Sequence, residues 1–516
     1  MEDASQTPSA SPIDLPEDPT LCHELIRQLH DTVLCSQRRI EKLEHQLAQL
    51  LRARYGPRSE RIDESQLTLF AKELFEAEPG GASDAQVDED ATPARKAGKR
   101  RGRKPLPNNL PRKKLVHELP ADQLACPCCR QLRTKIGEET SEQLEYEPGS
   151  LYVIEHVRLT YACKNCEAHL VTADKPLQPI DKGLPGPGLL AYVITSKYCD
   201  HLPLYRLERI LGRHGVEISR STMCGWMAAC AELLNPLYRL MVKDVLASKV
   251  VHTDDTVVPV QDKTRTKTRQ GRAWVYVGDP DHPHTVVDFT PNRSRDGPMT
   301  FLESFTGYLQ ADAYSGYDAL YTTGRVVEVA CWAHTRRKFH ESLETEPQRA
   351  SAVIAMIRLL YQVEDEAGDL SSDERKALRQ ERSKPRLEQI KAWLGNEQVA
   401  VLPKSPIGQA IGYALNNWTA LTRYVDDGDL HIDNNPAENA IRPIVLGRKN
   451  WLFAGSDKGG RTAAVLSSFV ASCRRQEIDP FAYLRDVLTN FAACPINEID
   501  QFLPHRWHAA RVTEEA

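Results

Sequence analysis

Asp254, Asp312 and Glu438 are the residues of this 516-residue chain whose types and settings could do chemistry together. Asp254 stands in the apolar run Val250-Val251-His252-Thr253-Asp254-Asp255-Thr256. Asp312 closes Tyr308-Leu309-Gln310-Ala311-Asp312, and Glu438 follows Asp433-Asn434-Asn435-Pro436-Ala437. Three carboxylates on separate elements of one α/β domain could hold two divalent cations, and paired cations suit in-line displacement at phosphorus. Strand alternation sends Asp255, the rival of Asp254, to the opposite face. Asn435 reads as a helix N-cap and Pro436 as the first helical residue, which puts Glu438 in the first turn. Arg442, four residues further on, shares the Glu438 face, and Pro443 should kink or end the helix. Arg448 and Lys449 then follow in a polar turn, as phosphate contacts or as a salt-bridged surface. His334, three residues after Cys331, could touch substrate, order the site or be a satisfied structural histidine. A metal role for it lacks a companion ligand pair in the sequence.

The elements that must position these groups lie between residues 246 and 472. Apolar β runs fall at 249–260, 272–278, 284–290, 307–312 and 325–330, with helices expected at 297–305 and 315–321. Three consecutive strands, a helix, a strand, a helix and a strand is the ribonuclease H-like order. Its acids belong within the first strand, just after the fourth, and on a helix beyond the fifth, the places of Asp254, Asp312 and Glu438. The fold class expected is therefore multidomain α/β, with a mixed-sheet core at 246–340 and 431–472 and an α-helical insertion at 341–430. The insertion is suited to brace the Glu438 helix and to touch DNA. Trp393 and Trp418 within it could stack on an unpaired base, although core packing suits them better. A C-terminal helical segment occupies 473–516.

Upstream, composition shifts mark further units. Residues 1–20 read as an unstructured tail. At 21–54, Cys22, Ile26, Leu29, Val33, Ser36, Ile40, Leu43, Leu47 and Leu50 step by four and three, a coiled-coil seam implying a homodimer or higher oligomer; a helix packed on its own domain is the alternative. The net charge of −5 conceals an acidic stretch at 73–90 and a basic one at 92–114 within a linker at 55–115. There Arg101, Arg103 and Lys104, held extended before Pro105, suit a narrow A·T minor groove in the manner of an AT-hook; a solvated linker is the plain reading. At 116–175, Cys126 and Cys129 pair with Cys163 and Cys166 as knuckles of a Zn²⁺ module, with Cys128 able to replace Cys126 and His169 able to replace a thiol. Residues 176–245 are helical and resemble a helix-turn-helix, Ser219 or Ser221 capping a second helix with Arg220 outward; a helical hairpin fits nearly as well. No apolar run of membrane-spanning length is present among thirteen cysteines' worth of reducing-compartment composition, so a cytoplasmic location without membrane contact is expected, on the nucleoid when DNA is bound.

These residues also carry a resemblance. The blocks around Asp254, Asp312 and Glu438, with Cys331-Trp332-Ala333-His334-Thr335-Arg336-Arg337, Gly447-Arg448-Lys449-Asn450-Trp451, Tyr55-Gly56-Pro57-Arg58-Ser59-Glu60 and Pro480-Phe481-Ala482-Tyr483-Leu484, resemble the DDE transposases of the insertion sequence 66 family over nearly the whole chain. Asp255 stands where that family usually has Glu, and Ala313 where it usually has Gly. The resemblance implies a polynucleotidyl transferase acting on transposon ends and target DNA, with Mg²⁺ or Mn²⁺ shared by Asp254 and Asp312 and by Asp254 and Glu438. Small accessory transposition proteins are a further possible partner. A DNA-binding regulator with an inactive core, and a stand-alone metal-dependent nuclease, are the competing readings.

Overall fold

The computed structural model describes residues 149, 151–154, 160–161, 171–172, 177–181, 183–262 and 264–515. The expected tail, coiled coil, basic linker with Arg101, Arg103 and Lys104, and the thiols Cys126, Cys129, Cys163 and Cys166 lie outside those residues. A short antiparallel pair, β1 (Thr160–Tyr161) with β2 (Val171–Thr172), precedes four helices: α1 (Pro187–Tyr198), α2 (Leu204–Arg213), α3 (Arg220–Leu233) and α4 (Asn235–Leu246). Ser219 opens α3 as expected, its side chain accepting from Thr222 N at 3.2 Å.

The sheet follows: β3 (Val250–Val260), β4 (Arg269–Val277) and β5 (Thr285–Thr290), helix α5 (Asp296–Phe301), β6 (Gly307–Gln310), a 3₁₀ turn (Ser315–Tyr317) running into α6 (Asp318–Tyr321), and β7 (Val326–Val329). The strands order β5-β4-β3-β6-β7, antiparallel among the first three and parallel from β3 through β6 to β7. This mixed sheet with flanking helices is consistent with a ribonuclease H-like core. Gly307 starts β6 with φ at +139°, and a Cβ there would meet the Lys249 carbonyl at 2.6 Å. Only glycine lets β6 approach β3 this closely.

Residues 332–425 are helical throughout their regular elements: α7 (Trp332–His340), α8 (Pro347–Glu366), α9 (Ser372–Leu378), a π turn (Arg379–Ser383), α10 (Lys384–Ala400), α11 (Pro406–Asn416), α12 (Trp418–Thr422) and a 3₁₀ turn (Arg423–Val425). Their apolar faces form a core of their own around Val353, Ile357, Leu360, Ile390 and Ile411, joined to the sheet through Val329 and Trp332. Trp332 is fully buried, donates Nε1–H to the Leu421 carbonyl at 2.8 Å and meets Trp418 edge-on at 5.9 Å. Trp418 and Trp393 both pack against this core, the packing role expected of them.

Helix α13 (Asn435–Trp451) crosses back to the sheet, and α14 (Asp457–Arg475), α15 (Pro480–Asn490) and α16 (Pro504–Glu515) complete the described chain. Two serines one turn apart on α14 seal the edge of β5. Ser468 Oγ accepts from Val287 N at 2.8 Å, and Ser472 Oγ accepts from Thr285 N at 3.0 Å while donating to its carbonyl. Backbone groups that would template another strand are thereby satisfied within the fold. The second core joins α1–α4, one sheet face and α14–α16, with Trp226, Trp274, Phe469, Tyr483 and Trp507 among its members.

Two buried histidines set an acid limit. Burial, aided by His431 and Arg475, pushes His252 down to about 3, and burial with His505, Arg475 and His282 does the same to His284. Their folded pKa lies below the unfolded value of about 6.5, so the stability they contribute is full above that pH and drains away as pH falls towards 3. Melting temperature should therefore decline steadily below pH 6.5, and a His284→Gln variant should show a shallower decline in the same thermal scans.

Candidate functional site

Asp254 and Asp312 are brought level by strand register. In the parallel ladder Val250 pairs with Tyr308 and His252 with Gln310, so Asp254 and Asp312 each stand two residues beyond the last pair, Asp254 partway along β3 and Asp312 just past the end of β6. Neighbouring strands lie about 4.8 Å apart, which places both carboxylates at one mouth of the sheet. Asp255 turns away and is occupied: Arg272 and Arg293 each donate to it at 2.8 Å, and its side chain is 3 % exposed.

Glu438 reaches this mouth because the loop before α13 is stitched over it. Asn434 Nδ2 donates to the Thr253 carbonyl at 2.8 Å, and His252 Nδ1–H donates to Asn434 Oδ1 at 3.2 Å. Gln310 Nε2 donates to the carbonyls of His431 and Asp433, and Trp332 N donates to that of Ile432. One segment thus ties the first half of β3 to the ends of β6 and β7. Asp433 in turn accepts from Asn435 N and Nδ2 and from Tyr361 Oη on α8, so the helical insertion braces the Glu438 helix through Tyr361.

The helix itself differs from the sequence expectation in three ways. Its N-cap is Asn434, not Asn435, and the Asn434 side chain is spent on β3 while Asp433 accepts the first free backbone N–H, that of Asn435. Pro443 does not end it: α13 continues to Trp451 because Ile441 and, less deeply, Ile444 pack on Val258, Ala273 and Val275. Tertiary packing here outweighs the lost hydrogen bond. Arg448 and Lys449 consequently sit in the last helical turn. Arg448 is tied to Thr256 Oγ1 at 3.2 Å and to the Val257 carbonyl, whereas Lys449 and Arg442 are exposed. Arg220 lies outward on α3, 3.5 Å from Glu208.

Electrostatics follow from crowding acids at a half-buried mouth. Burial pushes the Asp254 carboxyl up to about 7, against the Asp255 N–H donated to it and with the help of Asp312, Asp255 and Glu438. Burial also raises Asp312; His334 opposes that shift, and Asp255 and Glu438 add to it. Asp254 therefore stands in the field of Asp312 and Glu438, and Asp312 in that of Glu438.

His334 lies 3.5 Å from Glu438 through Nδ1 and Oε1, and both atoms are buried without a hydrogen-bond partner. Among the described residues, the group of candidate metal donors within 4.8 Å of one another is Cys331, His334 and Glu438, and neither aspartate belongs to it. No ligand pair accompanies His334 in the linear order of residues; folding brings it Cys331 from its own helix start and Glu438 from far downstream. Sequence reasoning also missed Asn434, Gln310, Asp433 and Tyr361 as builders of the site. Their one signal was polarity at apolar positions, as with Gln310 in an otherwise buried strand end.

Residues 182–462 match the family described as Transposase IS66 family. Residues 123–167 match its zinc-finger binding domain, 42–114 the domain described as Transposase C of IS166 homeodomain, and 468–505 the IS66 C-terminal element. Three proteins of Sinorhizobium fredii (strain NBRC 101917 / NGR234), each named only as uncharacterized, are similar over most of their length. Protein y4jD is 33% identical over 516 aligned residues, covering 96% of this chain and 100% of that protein. Protein y4hP is 33% identical, covering 91% and 89%, and y4qI is 34% identical, covering 90% and 89%. Among the described residues no helix is long and apolar enough to cross a membrane.

Proposed function

The chain belongs to the IS66 transposase family, and from that membership we propose that it binds the terminal inverted repeats of an insertion sequence and catalyses metal-dependent strand cleavage and strand transfer into target DNA. The observation that supports this reading is the parallel register that sets Asp254 of β3 beside Asp312 after β6, with Glu438 near enough to raise the pKa of both. Hard oxygen donors crowded there, two with raised pKa and the third with a buried unpartnered Oε1, fit Mg²⁺ or Mn²⁺. Asp254 would hold both ions, Asp312 one and Glu438 the other. When bound, such ions supply Lewis acidity to the attacking and leaving oxygens.

The chain's own groups do the rest. Asp255 is paired with Arg272 and Arg293, which offset part of the negative charge it adds beside Asp254 and Asp312. Arg448 fixes α13 to β3, and Arg442 and Lys449 face solvent where backbone phosphates could lie. Arg220 at the start of α3 would meet DNA as part of a helix-turn-helix. Residues 21–54 would associate copies of the chain, 55–115 would enter a minor groove through Arg101, Arg103 and Lys104, and 116–175 would hold Zn²⁺ through Cys126, Cys129, Cys163 and Cys166.

Incubation with Mg²⁺ and DNA carrying the element's ends should give joined products. Shifted complexes without products, or nicks without joining, would refute the reading in favour of a regulator or a nuclease. A pH effect accompanies it. The folded pKa of Asp254, about 7, lies above its unfolded value, so its contribution to the metal-free fold is full at low pH and lost as pH rises through 7. Cation binding needs the carboxylate, so Mn²⁺ should raise the melting temperature more at pH 8 than at pH 6.

A further inference from the structure

We propose that Cys331, His334 and Glu438 form a second kind of cation site, one that takes Zn²⁺ and, in doing so, withdraws Glu438 from the two aspartates.

Three separate observations converge on it. The first is spacing: His334 Nδ1 and Glu438 Oε1 are 3.5 Å apart. Two donors each 2.0–2.1 Å from one tetrahedral ion stand about 3.4 Å apart, so the gap suits a shared cation. The second is satisfaction. Both atoms are buried, and neither has a hydrogen-bond partner. Buried polar atoms are seldom left so, and two facing each other across such a gap mark a place for a bridging group. The third is the sulfur. Cys331 is fully buried, and the backbone N–H groups of Asn434, at 3.2 Å, and of His334 both donate to its Sγ. Burial pushes the free thiol up to about 12, against these N–H groups, so sulfur stays protonated until a cation displaces its proton; the N–H groups and the start of α7, where Cys331 is the N-cap, then help to hold the thiolate.

The donor set decides the metal. A thiol, an imidazole and one carboxylate oxygen, all within 4.8 Å, match the mixed soft and borderline preferences of Zn²⁺ and leave its fourth position to water. Mg²⁺ has little affinity for sulfur, so the catalytic cation does not compete for this site on equal terms. Binding releases the thiol proton to solvent and leaves sulfur as a ligand, with no change of oxidation state. The Cys331–His334 pair is three residues apart on one helix start, and Glu438 comes from the first turn of α13, so occupation ties those two helix ends together.

The consequence for joining rests on the function proposed above; the site itself does not. Zinc content of the full-length chain, measured by mass spectrometry after dialysis against a weak chelator, tests the site without DNA or turnover. His334→Ala, at a partly exposed position, should lose about one equivalent of Zn²⁺ relative to wild type, and Cys331→Ser should lose the same, while Asp312→Asn keeps the wild-type content. Co²⁺ titration adds a second reading, with a thiolate-to-cobalt absorption weaker in Cys331→Ser than in wild type. Equal zinc in wild type and His334→Ala overturns the site, even if that variant joins DNA poorly, because His334 then only positions Glu438. Where the content does fall, added Zn²⁺ should slow Mg²⁺-dependent joining by wild type, and the ratio of rates with and without Zn²⁺ should approach one in His334→Ala. Zinc binding without that inhibition overturns the withdrawal of Glu438 and leaves the transposase reading untouched.

Discussion

Replacing Asp312 with Asn should cut strand joining by about 10³-fold or more while raising the melting temperature of the metal-free protein. The two effects have one cause. Asp312 is a partly buried carboxylate in the fields of Asp255 and Glu438, and burial raises its pKa. An amide of the same shape removes a charge that the fold holds at a cost, and relieves Asp254, whose own pKa that charge helps to lift. It also removes a hard anionic ligand that an ion with a strict preference for oxygen cannot replace. Binding to end DNA should survive, since no proposed phosphate contact involves Asp312. A variant that is destabilised, or that still joins DNA, would show that Asp312 is an ordinary strand-end acid. A functional group retained at the expense of stability is the expected signature of a catalytic site.

Arg379→Ala should destabilise the protein by about 3–5 kcal/mol, the largest loss expected of a single substitution far from the acids. Arg379 is 2 % exposed in the π turn, donates to both carboxylate oxygens of Glu364 at 2.9 and 2.6 Å, and donates again to the carbonyls of Tyr424 and Asp427. Removal leaves Glu364 charged in a largely buried setting and two carbonyls unpaired. It also frees the segment whose Asp427 meets Lys249 at 2.8 Å, just before β3, and which leads directly into the stitched loop at Asn434. Joining should therefore fall along with the denaturant midpoint. The pair Arg379→Met with Glu364→Leu should recover most of the loss, because an apolar pair of similar volume carries no desolvation cost. A double variant as unstable as the single one would place the effect in packing rather than in the buried charge.

The strands of the core were legible because β3 to β7 are short apolar runs bounded by turn residues, and their order alone puts Asp254 beside Asp312. Glu438 was legible as a first-turn acid. The means of its delivery was not. Asn434 and Gln310 act on backbone more than 100 residues away in the chain, and a side chain that satisfies a distant carbonyl leaves no periodicity behind it. Pro443 misled for a related reason. Local rules end a helix there, yet the apolar face around Ile441 packs on the sheet beyond it. The Cys331–His334 spacing could be read, but its third donor is supplied only by folding.

The most direct test of the central claim is the position of Mn²⁺ in crystals of the protein bound to its cleaved end DNA, located by anomalous scattering. Ions liganded by carboxylate oxygens of Asp254, Asp312 and Glu438 together, with Asp254 shared between them, are the expected result. Manganese bound elsewhere, or held by Glu438 while both aspartates stay beyond ligand distance, would contradict it.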